Sequence, residues 1–87
     1  MTYNNEIQNY KGIPLKLIVY TDTHFERMKA KCFHVMNAVS QPSGQHIWIP
    51  NKFLALDGTI DQSKNIDWLF RKADNAEKLR LAGFILN

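Results

Sequence analysis

With 87 residues, 45% of them hydrophobic and 22% charged, the chain is sized for one packed domain, which excludes a disordered tail and a multidomain enzyme. Eleven Lys and Arg against eight Asp and Glu leave a formal charge of +3, which favours a polyanionic partner slightly without demanding one. A single cysteine excludes an internal disulfide. No apolar run approaches the ~20 residues of a membrane span, and the start Met1-Thr-Tyr-Asn-Asn-Glu6 lacks a secretory layout, so a non-membrane protein of a reducing cytoplasm is expected.

Residues 1–12 are polar, carry Asn4, Asn5, Asn9 and Gly12, and read as a loosely ordered arm ahead of one globular domain over 13–87. From Ile13 to Tyr20 the side chains alternate, Leu15, Leu17 and Val19 to one side and Lys16, Ile18 and Tyr20 to the other, which predicts a strand opened by Pro14. A turn is expected over 21–24. Two readings compete over 24–39. Phe25, Met28, Cys32, Val35 and Val39 recur at three to four, and Thr23 to Glu26 matches a capping box, as in a helix. Alternation fits equally: Met28, Ala30, Cys32, His34 and Met36 inward, Lys29, Lys31, Phe33 and Val35 outward, with 37–44 as a long hairpin loop.

Gln45 to Pro50 predicts a strand through Ile47 and Ile49, stopped by Pro50. Asn51 to Leu56 reads as a short turn of helix or a bent extension, and Asp57-Gly58 as a tight turn into Thr59-Ile60. The apolar spacing of Ile66, Leu69, Phe70, Ala73, Ala76 and Leu79 predicts a helix over 66–82, with Asn65 as its N-cap, Asn75 as a place where it could break, and Gly83 just past its end.

The order of a Lys-Ala strand, Ile47-Trp48-Ile49-Pro50, Asp57-Gly58 and the helix start Trp68-Leu69 resembles small phage and prophage proteins of unknown function. Those proteins carry a Trp-Ile-Pro-Lys-Ser element, where this chain has Asn51 and Lys52 in the last two places; the likeness spans residues 28–70. It implies a compact, mostly β fold of phage-related origin and no assigned activity. With that, the expected class is α+β: a small antiparallel, barrel-like sheet of three to five strands with a C-terminal α-helix. The alternative is β-α-β-α with a helix at 24–39.

On the strand reading, Leu15, Leu17, Val19, Ala30, Cys32, Met36, Ile47 and Ile49 form the core layer, while Lys16, Tyr20, Lys29, Lys31, Phe33, His46 and Trp48 share the opposite face. Cations among flat rings suit single-stranded nucleic acid, since phosphates take lysine and unstacked bases take a ring. The competing explanation is that Ile18, Phe33, Val35 and Trp48 are covered by the helix carrying Trp68, Leu69 and Phe70.

His24, His34 and His46, with Cys32, Asp22 and Asp57, lack the close spacing of a zinc site, so no metal or cofactor is expected. Cys32 and His34 share a strand face but have no third orienting group, and Gly58 and Gly83 are isolated rather than clustered into a phosphate loop. Asp57, Asp61, Asp67, Asp74 and Glu77 fall in turns or on a polar helix face. A non-enzymatic binder of single-stranded nucleic acid is therefore expected. The alternative is a phage accessory protein that docks on a host or phage protein, through the aromatic face or through the apolar tail Phe84-Ile85-Leu86. That tail is expected first to dock back onto the domain, and otherwise to add an edge strand or to bind a host protein or, as a homodimer, a second copy.

Overall fold

The computed structural model describes residues 2–20, 25 and 27–84. The turn at 21–24 with His24, the Thr23 and Glu26 ends of the capping box, and Ile85 and Leu86 of the tail lie outside the described residues. Four strands follow in order: β1 (Ile7–Tyr10), β2 (Ile13–Leu17), β3 (Ala30–Met36) and β4 (Pro42–Pro50). A 3-10 turn at Asn51–Phe53 and two helices, α1 (Asp67–Arg71) and α2 (Ala73–Leu81), complete the chain. The strands form an antiparallel meander ordered β1-β2-β3-β4, so the class is α+β with an open sheet whose edges are β1 and β4. Residues 30–36 are strand, not helix.

Part of the expected loose arm is therefore β1. A two-residue turn at Lys11-Gly12, both with positive φ (48° and 89°), joins β1 to β2 with the twist a hairpin needs, and Asn9 Oδ1 accepts from Gly12 N at 2.7 Å. Gln8 ties this edge to the later chain: its side chain donates to Gly58 O at 3.2 Å and accepts from Ile60 N at 2.7 Å. Gly58 packs onto the sheet so closely that a Cβ there would stand 2.5 Å from Leu17 Cδ2. Its φ of 86° favours glycine as well.

The phase of β3 reverses the expectation. Leu17 pairs with Phe33 and Phe33 with Ile47, while Leu15 pairs with Val35, so Lys31, Phe33 and Val35 point to the core side with Ile47 and Ile49. Ala30, Cys32 and Met36, expected in that layer, lie on the other face; Val19, also expected there, is exposed beyond the end of β2. The cause is a difference in payload. Phe33 and Val35 bury more apolar surface than Ala30 and Cys32, and Lys31 is accommodated because its ammonium donates to Phe25 O at 2.6 Å and Met28 O at 3.1 Å. The same ammonium lies 4.6 Å from the Phe25 ring centroid.

The helices cover this side of the sheet. Ile66, Leu69, Phe70 and Leu79 join Tyr10, Leu15, Leu17, Phe33, Ile47 and Ile49 in one buried cluster. Tyr10 stacks on Phe70 with centroids 5.1 Å apart, donates to Asp67 Oδ1 at 2.8 Å and accepts from Ile66 N at 2.9 Å, which pins the start of α1 to the sheet. The N-cap is Ile66 rather than the expected Asn65 and makes no side-chain cap bond; Asn65 Oδ1 instead accepts from Asp67 N at 2.9 Å in a local turn just ahead of the helix.

The expected single helix breaks at Lys72, whose ψ of 142° is extended. Asn75, the position singled out for a break, instead donates from Nδ2 to Leu69 O at 2.9 Å and so braces the bend from within α2. At the far end Phe84 N donates to Leu79 O and Gly83 N to Arg80 O, the paired bonds of a Schellman closure at the glycine the sequence singled out.

Between β3 and β4 the long loop is shorter than expected, because β4 begins at Pro42. Asn37 Oδ1 accepts from Val39 N and Gln41 N, each at 3.0 Å, and a register shift between Val35 and Met36 absorbs the extra residues. The buried position of Phe33 is open to test by chemical denaturation. Phe33→Ala should cost about 3 to 5 kcal/mol, as for other buried phenylalanines; a loss below ~1 kcal/mol would place the ring outside the core.

Candidate nucleic-acid interface

The face of the sheet opposite the main buried cluster carries two cross-strand rows. Ile7 pairs with Lys16, Lys16 with His34 and His34 with His46, so one cation and two imidazoles cross all four strands in line from Ile7. The adjoining row runs from Ile18, whose N–H donates to Cys32 O at 3.0 Å, through Cys32 to its partner Trp48. Trp48 is 44% exposed, while Cys32 beneath it is buried. None of the strand residues is acidic.

Of the expected interface residues, Lys16, His46 and Trp48 are brought together here. Phe33 and Lys31 are not: they lie on the core side, at 0% and 6% exposure, where no base can reach the ring. Lys29 precedes β3 on an exposed bend, and its carbonyl accepts from Asn51 N at 2.8 Å. Tyr20 follows β2 with its ring centroid 6.0 Å from that of Phe25, so it belongs to the Phe25 side rather than to the two rows.

His34 enters the interface in place of Phe33, because the residue one step along the strand faces the other way. The two imidazole centroids are 4.9 Å apart. Burial, then His46 and Lys16, hold the His34 imidazole below its ordinary pKa, and its Nδ1 is buried with no hydrogen-bond partner among the described residues. A proton there would find neither solvent nor acceptor. The His34 ring is thereby held neutral, packed against His46 and next to the Lys16 ammonium.

Burial raises the Cys32 thiol and outweighs the opposing Lys78 charge, so the sulfur is held as a thiol at neutral pH rather than as a nucleophilic thiolate. Among the described residues no three His, Cys, Asp or Glu side chains gather in a cluster able to hold a metal ion. Nor is any helix among them long and apolar enough to cross a membrane.

A second concentration of rings and cations, outside the expected set, lies on the helix side. Trp68, 48% exposed, meets Phe53 edge-on at 5.9 Å, with Lys72 Nζ 5.4 Å from the Trp68 centroid and Lys52 Nζ 5.1 Å from that of Phe53. The signal for it was present in the sequence as Lys52-Phe53 and as Trp68 with Arg71 and Lys72 at i+3 and i+4. No protein-family model matches the chain, and neither a curated protein nor a solved structure is significantly similar to it.

The environment of His34 sets a pH dependence. Its folded pKa lies below the unfolded value of about 6.5, so the unfolded chain binds the proton more strongly. The stabilisation from keeping this ring neutral is complete above that value and fades as pH falls through it. An NMR titration should place the His34 midpoint below about 6.5, and His34→Gln should flatten the loss of stability between about pH 7 and pH 5. A midpoint above the ordinary value would contradict the buried, unpartnered nitrogen.

Proposed function

We propose that this chain is a non-enzymatic binding module whose open sheet face takes single-stranded nucleic acid. The observation that carries the reading is the Lys16–His34–His46 row beside an exposed Trp48, on strands without a carboxylate. Trp48 is the stacking platform for a base, Lys16 the phosphate contact, and His34 and His46 offer imidazole edges to phosphate or base. Compared with the expected set, Lys29, Lys31, Phe33 and Tyr20 drop out and His34 comes in.

A second reading rests on the apolar side chains of the same region. Ile7, Val19 and Trp48 are large and exposed, and with Ile18 they give a protein partner something to bury. The partner would be a host or phage protein, or a second copy of this chain. This agrees with a phage-related origin, which the Ile47-Trp48-Ile49-Pro50 element supports, and with a reducing cytoplasm, which suits the free thiol of Cys32.

The two readings respond oppositely to salt. Fluorescence anisotropy of a labelled single-stranded oligonucleotide should show binding that weakens between about 50 and about 200 mM salt, since lysine contacts release counterions. Trp48→Ala should weaken it by about 1 to 3 kcal/mol, the range for one stacked base, and Lys16→Gln should lower the salt slope by roughly 0.7, the share of one single-strand phosphate. Absence of binding at low salt, or binding indifferent to both substitutions, would remove the nucleic-acid reading. Salt-insensitive self-association lost in Trp48→Ala would favour the second.

A further inference from the structure

The patch around Trp68 is not used by the sheet-face reading, and its construction calls for a ligand. Trp68 is the second residue of α1, and Arg71 and Lys72 follow at i+3 and i+4, so both cations rise on the side of the helix where the indole stands. The extended ψ of Lys72 lifts its backbone out of both helices and sends its side chain across the ring. An open cleft of about 620 Å³ results, lined by Asn65, Asp67, Trp68, Arg71 and Lys72.

The charges in that cleft are arranged asymmetrically. Asp67, its one carboxylate, is occupied by Lys11 at 2.9 Å and by the Tyr10 hydroxyl at 2.8 Å, which hold it well ionised and turned toward the β1–β2 hairpin. Arg71, Lys72 and the neighbouring Lys52 are in no ion pair among the described residues. Asn65 spends its Oδ1 on Asp67 N, and its amide N–H groups point to no acceptor among the described residues. The cleft thus offers a wide ring, one amide donor and two cations that form no ion pair among the described residues, Lys72 lying over the ring and Arg71 acting on the Asp67 charge without contact. A group with a flat face, an acceptor edge and an attached anion answers all three.

We propose that this cleft binds a nucleotide unit, free or within a strand, with the base stacked on Trp68 and the phosphate held by Arg71 and Lys72. Lys72 then exchanges the ring for a phosphate oxygen, a stronger partner for an ammonium. The inference shares its ligand class with the sheet-face reading and none of its residues, so each stands or falls separately. An acidic protein segment would satisfy the cations but leave the indole without a stacking partner, and is the alternative that the experiment must reject.

The test uses single-tryptophan variants of the full chain. In Trp48→Phe, Trp68 is the sole indole, and its emission is followed during titration with an oligothymidylate of about ten nucleotides, with thymidine monophosphate, with heparin and with polyglutamate. The oligonucleotide should quench Trp68, and Arg71→Gln with Lys72→Gln should weaken its binding by at least about tenfold and lower the salt slope by roughly 1.4, two phosphate contacts' worth. Both side chains are exposed, so a circular-dichroism melt of the double variant should match its parent. Thymidine monophosphate binding as tightly as the oligonucleotide identifies a free nucleotide as the occupant, whereas tighter oligonucleotide binding identifies a strand; either supports the proposal.

Trp68 emission unmoved by both nucleotide ligands overturns it, as does heparin or polyglutamate acting with equal affinity and equal change in emission. In Trp68→Phe, Trp48 reports the sheet face alone. A responding Trp48 with a silent Trp68 sinks this inference and leaves the sheet-face reading intact, and the reverse result does the opposite.

Discussion

The Lys31 ammonium, held under the sheet by the carbonyl oxygens of Phe25 and Met28, is the contact on which the surface chemistry depends. A cation carried to the core side of a strand is costly unless its protons are matched, and an unpaired one costs several kcal/mol. Here the segment before β3 supplies the acceptors. The Asn51 side chain also donates to Met28 O, and Asn51 N donates to Lys29 O, so the turn after β4 grips the segment that caps Lys31. With Lys31 satisfied inside, Phe33 and Val35 are free to fill the core, and Cys32, His34 and Met36 must face the other way.

Everything on the open face follows from that one parity. The pairing of His34 with Lys16 and His46 exists only in this phase; shifted by one residue, Lys31, Phe33 and Val35 would stand on the face of Lys16 and His46, and the core would lose the Phe33 ring. The helices settle the rest. Tyr10, through Phe70, Asp67 and Ile66, anchors α1 over β1, which places Trp68 at the surface and Leu69 and Phe70 beneath. Aromatic side chains thus emerge on both sides of a domain whose layers are one sheet and one bent helical segment.

The sequence was most legible where a single cue acted locally. The strands expected over 13–20 and 45–50 form over Ile13–Leu17 and Pro42–Pro50, and the Asp57-Gly58 turn and the Gly83 closure appear where propensity and spacing put them. It was least legible at β3, because Ala30 to Met36 is apolar on both faces except for Lys31 and His34, and alternation alone cannot choose between two greasy sides. The rule that lysine faces water chose wrongly there, since the acceptors for its ammonium come from a different stretch of chain. Of the candidate interface, Lys16, His46 and Trp48 were legible from the strands flanking β3, whereas His34 was lost with the phase. The break at Lys72 had no local signal, being set by how α1 and α2 each reach the core.

The phase of β3 is directly measurable by proton–proton Overhauser contacts in solution. Trp48 indole protons should show cross-peaks to the β-protons of Cys32, its cross-strand partner, while the Phe33 ring should show cross-peaks to the methyl groups of Leu17 and Ile47. Cross-peaks between the Trp48 indole and the Phe33 ring in their place would put both on one face, return Lys31 to the open surface, and contradict the account.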